Sequence, residues 1–294
     1  MNFRPVNRTS IRISAALLVL ATLFAVPCFS QTPNETADLE RAISSGSVEE
    51  KRDALYRIRV LGTEESARLA VRALRDPEPI VRATAAGSLA NLPSSEAVPV
   101  LVQLLKDKDE FVRKEAAIAL GQTYDASAEM ALLETLENGD EEAVRAAAAE
   151  ALGKTGTGAS LPTLTRTLSQ KPKDRNQTTK RSAARSVGMI AGRLRKSAVF
   201  TSNPENFLPS KFKSTERSLV DLTNTDRGFQ AISTILRQII ANEREHTDTK
   251  REAAFALGMI GDADALDSLR NCSSDVDPYL AESCKEAILM IDSQ

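Results

Sequence analysis

Apolar residues recur along most of the chain with a spacing of three to four residues, which is typical of amphipathic α-helices. The pattern is most regular in three similar segments, VRATAAGSLA, VRKEAAIALG and VRAAAAEALG, which begin at residues 81, 112 and 144. Each has valine one position before its arginine, alanines three and four positions after it, and leucine seven positions after it. These positions share one face of a helix, and the small alanines allow a second helix to approach closely. The arginines are Arg82, Arg113 and Arg145.

Each segment is followed by signals that predict a turn and a second helix. Gly121 and Gly153 come directly after the conserved-type leucine of their segments, and glycine there is typical of a helix C-terminus with left-handed backbone. A second apolar stripe follows, as in EAVPVLVQLL at residues 96–105. Each unit is therefore predicted to be a helical hairpin of about 31 residues. One hairpin buries too little of its apolar face alone, so the copies must stack.

Weaker copies extend the repeat in both directions. KRSAARSVG and KREAAFALG place Lys180 and Lys250 where the regular copies have arginine, and residues 48–74 are a degenerate first copy. The step from Arg145 to Lys180 is 35 residues and the step from Lys180 to Lys250 is 70. The longer steps predict inserted material in the centre of the stack.

The Val-Arg, Ala-Ala and Leu-Gly signature resembles the HEAT-like repeats first recognised in phycobilisome lyases, over roughly residues 48–290. The resemblance implies an all-α fold, a right-handed α-solenoid of stacked helical hairpins. Such repeats occur in scaffolds, lyases and hydroxylases, so the signature does not specify one activity. We expect the solenoid at residues 47–294 with a basic insertion at about 169–217, and a polar linker at residues 31–46 before it.

The first 30 residues have the features of a secretory signal. Three arginines precede an unbroken apolar run at residues 15–26, and small residues precede a possible cleavage point after Ser30. A run of 12 residues is shorter than the roughly 20 that a membrane-spanning helix needs. We therefore expect export to the periplasm or the extracellular space and no membrane attachment after cleavage. A retained anchor is the alternative.

The composition argues against most catalytic sites. There is one histidine, His246, in a polar stretch where we expect it to be solvated. The deoxyhypusine hydroxylases, which are also HEAT-like, bind two irons through several His-Glu pairs, and this chain has no such pair. We expect no enzyme activity, no cofactor and no metal, with a bilin-lyase-like enzyme as the alternative.

Charge is segregated along the chain. The net charge is -8 over residues 31–165, +10 over 166–217 and -7 over 218–294. The basic centre coincides with the break in the repeat, and it also contains phenylalanines, a combination that is typical of contact surfaces. The alternative is a solvated loop. The candidate partner-binding residues are Lys171, Lys173, Arg175, Lys180, Arg181, Phe200, Phe207 and Phe212.

These charges favour a protein partner, possibly an acidic one. The overall net charge is -2 and the chain has no tryptophan, so we do not expect nucleic-acid binding, although a polyanion remains an alternative. The predicted function is that of an exported, non-enzymatic scaffold or adaptor.

Two further sets of residues have competing interpretations. Stacking places Arg82, Arg113 and Arg145 in a row, which either pairs with carboxylates of neighbouring turns or binds anions. Cys272 and Cys284 either form a disulfide, since exported proteins meet oxidising conditions, or are two small buried side chains.

Overall fold

The computed structural model describes residues 33–202, 222–224 and 227–292, and these ranges contain helices and no β-strand. The chain divides into two units, residues 1–38 and residues 39–294, and the second unit contains the repeats. The α-helices within the described ranges are α1 Pro33–Ser45, α2 Val48–Leu61, α3 Glu64–Ala70, α4 Pro79–Gly87, α5 Ser94–Leu104, α6 Glu110–Gln122, α7 Glu129–Asn138, α8 Glu142–Thr155, α9 Leu161–Leu168, α10 Gln177–Ser202, α11 Arg227–Ala241, α12 Thr247–Ile260, α13 Leu266–Cys272 and α14 Pro278–Asp292.

The helices of the second unit alternate between two roles. The even-numbered helices α2 to α14 carry the Val-Arg-type signature, and we call them the signature helices. Each packs directly on the next signature helix along the chain, and the odd-numbered helices α3 to α13 are the second helices of the hairpins. This arrangement confirms the prediction of an all-α stack of helical hairpins.

The buried face of each signature helix is the one that the repeat predicts. Val81, Ala85 and Leu89 of the first regular copy have no exposed surface. The same positions are buried in the weaker copies, where α10 contributes Ala183, Ala184 and Val187 and α12 contributes Ala253, Ala254 and Leu257. The apolar stripe is therefore continuous through the stack, which is what stabilises a repeat protein.

The N-terminal boundary differs from the prediction. Residues 31–46 were expected to form a polar linker, but Pro33–Ser45 is a helix. Leu39 and Ile43, which are four residues apart and so share one helix face, are both buried. The surrounding polar residues hid this short stripe in the sequence.

The glycines of the signature have a different role from the predicted one. Gly121 and Gly153 lie inside α6 and α8, and neither has left-handed backbone. A Cβ atom on Gly121 would lie 2.9 Å from the Cα atom of Ala151 on the next signature helix. The glycine is needed because the two backbones approach too closely for a side chain. The left-handed C-caps are at Gly62 and Gly261 instead.

The break in the repeat has a simple structural basis. α10 is 26 residues long, about twice the length of α8, and α11 is the second helix that follows it. α10 packs on α8 on one side and on α12 on the other, so the step of 70 residues contains one hairpin. The predicted insertion at about 169–217 is therefore too long, because residues 177–195 belong to the stack.

Two arginines near the end of α10 connect it to both neighbours. Arg193 donates hydrogen bonds to the carbonyl oxygens of Gly153 and Gly156 at the end of α8. Arg195 donates to the carbonyl oxygens of Gly258 and Met259 near the end of α12, at 3.1 and 2.9 Å. Within the described ranges, none of the helices combines the length and the apolar character needed to span a bilayer.

Candidate partner-binding site

The repeated cation of the signature helices forms ion pairs that join consecutive repeats. Lys51 pairs with Asp76 at 2.7 Å, and the Arg82 guanidinium contacts both carboxylate oxygens of Asp107 at 2.8 Å. Arg113 continues the series with Glu141 at 2.7 Å. Each acid lies in the loop before the next signature helix, so these pairs fix the spacing between repeats.

The same cations also hold the loop before their own helix. Arg82 donates to the Asp76 and Pro77 carbonyl oxygens, and Arg113 donates to that of Asp107. Arg145 donates to the carbonyl oxygens of Gly139, Asp140 and, across the repeat boundary, Arg175. Of the two interpretations of this row, the geometry supports the structural one.

The ladder affects the ionisation of its acids. Although burial acts to raise it, the pKa of Asp107 is lowered, because the ionised carboxylate accepts hydrogen bonds from Arg82. The pKa of Asp76 is lowered in the same way by Lys51. Both carboxylates are therefore ionised at neutral pH.

Lys180 differs from its predicted role. It was expected to contact a partner, but its side chain is 2 % exposed and its ammonium group pairs with Glu245, which is 3 % exposed. The ammonium also donates to the Gln170 carbonyl oxygen at 3.0 Å. Burial removes Lys180 from the candidate binding residues, since it is the ladder cation of α10 and joins the loops before α10 and α12.

The loop before α10, residues 169–176, is the basic loop. The Asn176 side chain, 8 % exposed, organises it. Its Oδ1 atom accepts from the Lys173 amide at 3.0 Å, and its Nδ2 atom donates to the Lys171 carbonyl oxygen at 3.0 Å. The basic loop therefore has a defined conformation, which argues against the interpretation as a merely solvated loop.

The remaining basic candidates lie at the surface. Lys171, Lys173 and Arg175 are exposed, and no ion pair joins them to any described carboxylate. Arg181, on the first turns of α10, is also exposed and lies 3.5 Å from Asp248. The structure thus brings three of the predicted cations together on one ordered loop.

The aromatic part of the prediction falls mostly outside the described structure. Phe207 and Phe212 lie beyond the described residues. Phe200 lies within α10, but its side chain is not among the described ones. The basic loop is therefore the part of the candidate site whose geometry is defined.

The two cysteines meet at the C-terminal end of the stack. Cys272 ends α13, and its sulfur forms a disulfide with Cys284 of α14. Cys284 occupies a signature position that holds alanine in the regular copies. Of the two interpretations, the structure has the bonded one.

Sequence reasoning missed the residues that shape the basic loop. Asn176 carries no charge and received no role, and Glu245 was not connected with Lys180, 65 residues earlier. A signal for Glu245 was present, because acids precede the cations of the regular copies by four to six residues and Glu245 precedes Lys250 by five.

Comparison with known proteins gives the same repeat. The HEAT repeats family matches residues 66–153 and 129–199, and the PBS lyase HEAT-like repeat matches residues 249–275. A curated relative, deoxyhypusine hydroxylase-B of Oryza sativa subsp. japonica, is 33 % identical over 63 residues. That match covers 21 % of this chain and 21 % of the relative, so this chain spans about a fifth of the relative's length.

Solved structures with similar folds include two natural ones. The complex of CpcE and CpcF of phycocyanin lyase from Nostoc sp. PCC7120 has a TM-score of 0.48 and 20 % identity, covering 88 % of this chain and 94 % of that one. Human deoxyhypusine hydroxylase in complex with glycerol has a TM-score of 0.38 and 16 % identity, covering 89 % and 97 %.

Together, the family matches span more than half of the chain, and they coincide with the stacked hairpins of the structure. The chain is therefore a HEAT-repeat protein that includes a repeat of the PBS lyase HEAT-like type.

Proposed function

We propose that this protein is a non-enzymatic adaptor that binds an acidic segment of a protein partner through the basic loop. The observation that carries the proposal is the set Lys171, Lys173 and Arg175, three exposed cations on one ordered loop without an ion pair to a described carboxylate. Exposed cations elsewhere in the stack are paired, as Arg68 is with Glu96 at 2.8 Å and Arg185 with Glu252 at 2.9 Å. The basic loop therefore retains charge for an external partner.

The order of the loop supports the same function. Binding costs less conformational entropy when the contacting segment is already held in one conformation. Asn176 holds the backbone on both sides of Lys173, and Arg145 holds the Arg175 carbonyl oxygen. A stack of repeats is a rigid support for such a loop, although the fold does not specify the partner.

We further propose that the adaptor works outside the cytoplasm. The support for this is the signal-like pattern of residues 1–30, which lies outside the described structure. An acidic protein of the periplasm or the extracellular space would then be the natural partner.

Site-specific photo-crosslinking tests the proposal. A photo-reactive amino acid at Thr178, an exposed residue next to the basic loop, should give one dominant adduct with a protein of the exported fraction. The adduct should be lost when Lys171, Lys173 and Arg175 are changed to glutamate, because the contact is electrostatic. A matched probe at Gln103, which is exposed on α5, is the control. An adduct from Gln103 alone would transfer the function to the second helices and overturn the proposal.

A further inference from the structure

A cleft separates the basic loop from the loop before α12. Its volume is about 290 Å³. The basic loop contributes Lys173 to its lining, and the other loop contributes Arg244 and His246, about 70 residues later in the chain. Stacking of the two repeats thus brings together three nitrogen-bearing side chains that the sequence keeps apart.

The floor of the cleft is electrically balanced and fixed. Glu245 is the one carboxylate among the described lining residues, and it is paired with the buried Lys180. Lys180 also donates to the Gln170 carbonyl oxygen, so one buried ammonium joins both loops. The cations at the rim are therefore not neutralised by Glu245.

The second loop is as ordered as the basic loop. The Asn242 side chain accepts a hydrogen bond from the Arg244 amide at 3.0 Å, and the Asn242 carbonyl oxygen accepts from the Glu245 amide at 3.1 Å. His246 begins α12, where its Nδ1 atom accepts from the Asp248 amide at 3.4 Å. With Nδ1 as acceptor, Nε2 carries the hydrogen and is available as a donor.

The lining therefore offers an ammonium, a guanidinium and an imidazole N–H group, all of which are donors. We infer that this cleft is a carboxylate-binding site that takes an Asp or Glu side chain, or the C-terminal carboxylate, of the partner. A guanidinium matches a planar carboxylate with two parallel hydrogen bonds, and the ammonium adds a third, charge-assisted contact. This inference rests on the proposed function and names two contact residues, Arg244 and His246, that the basic loop does not contain.

Titration of the full chain with a capped hexaglutamate peptide tests the inference, with amide and imidazole NMR signals as the readout. We expect saturable shifts at Lys173, Arg244 and His246 in the millimolar range. Arg244→Ala should weaken binding about tenfold, the ratio that corresponds to 1.4 kcal/mol. His246→Asn should weaken it several-fold, because asparagine retains an acceptor for the α12 cap but removes the imidazole N–H group. The matched control is Lys108→Ala, in the equivalent loop before α6, and it should leave the affinity unchanged.

The possible outcomes separate this inference from the proposed function. Peptide binding that depends on Lys171, Lys173 and Arg175 but not on Arg244 or His246 would overturn the cleft and leave the basic loop as the docking site. Absence of saturable binding would also overturn the cleft, while the photo-crosslinking result would still decide the proposed function. Inorganic phosphate is the comparison ligand, and binding of phosphate without the peptide would contradict a carboxylate site.

Discussion

At the residue scale, the buried pair of Lys180 and Glu245 is the most sensitive point of the stack. Both side chains are at most 3 % exposed, so removing one leaves the other as an unpaired buried charge. We predict that Lys180→Ala lowers the free energy of unfolding by about 3–5 kcal/mol, measured by urea denaturation. Replacing both residues with methionine should recover most of that loss, because no charge is then left unpaired.

The neighbouring residue provides the control for this prediction. The Arg181 side chain is 46 % exposed, and its ion pair with Asp248 is at the surface. Arg181→Ala should therefore change the stability by no more than about 1 kcal/mol. Equal losses for the two variants would contradict the assignment of Lys180 as the buried link between the loops.

Asp262 predicts a pH effect of the opposite sign to that of the ladder acids. Burial raises its pKa, and Arg237, at 3.6 Å, only partly offsets this. A carboxyl group with a raised folded-state pKa contributes stability at low pH that is lost as the pH rises through that pKa. Asp262→Asn retains the acceptor for the Asp264 amide, so we expect it to be more stable than the wild type at pH 7.

The pH dependence of the difference checks this prediction. The advantage of Asp262→Asn should shrink as the pH falls and wild-type Asp262 becomes protonated. Thermal unfolding of both proteins between acidic and neutral pH measures it. An asparagine variant that is less stable than the wild type at pH 7 would show that the pair with Arg237 outweighs the cost of burial.

At the element scale, close contact between signature helices depends on their glycines. Glycine inside a helix is normally less favourable than alanine by about 1 kcal/mol. Gly121→Ala should nevertheless destabilise the protein by about 1–3 kcal/mol, because the new methyl group would meet the backbone of Ala151. Denaturant unfolding measures this change.

A glycine with free space around it is the matched control. A Cβ atom on Gly158 would have nothing within 4 Å. Gly158→Ala should alter the stability by no more than about 0.5 kcal/mol. If Gly121→Ala stabilised the protein as well, the close approach of α6 and α8 would be wrong.

The elements were predictable where one repeat resembles the next. The spacing around Arg82 and its equivalents located the buried face of the signature helices, because that face depends only on helical periodicity. The role of Gly121 was not predictable, since a helix end and a close helix contact select the same residue type. The length of α10 was missed because its polar, basic residues looked like an insertion, although Arg193 and Arg195 contact the ends of neighbouring helices.

At the scale of the whole molecule, the stack couples each repeat mainly to its neighbours. The disulfide between Cys272 and Cys284 closes a loop with a sequence separation of 12 residues at one end of the stack. A loop of about 15 residues corresponds to roughly 3 kcal/mol of stabilisation. We predict that reduction accelerates amide hydrogen exchange in α12–α14 and leaves α2–α6 unchanged.

The specificity of this effect is checked with a variant that has no disulfide to reduce. A protein carrying both Cys272→Ala and Cys284→Ala should show the faster exchange without reductant and no further change with it. Faster exchange throughout the chain on reduction would mean that the stack unfolds as one cooperative unit, contrary to the nearest-neighbour description.

The candidate site was only partly predictable, for a reason that belongs to the whole molecule. Charge counting found Lys171, Lys173 and Arg175, which are adjacent in sequence. It did not find Arg244 and His246, because stacking brings residues 70 positions apart to one cleft. It also assigned Lys180 to the surface, since the sequence gives the charge of a residue but not its burial.

The central claim is that the partner docks at the loops before α10 and α12. Amide hydrogen exchange of the chain, alone and bound to the partner captured by photo-crosslinking, tests this most directly. We predict protection at residues 169–178 and 242–248, with little change in α3, α5 and α7. Protection confined to those second helices, with the basic loop exchanging as in the free chain, would contradict the claim.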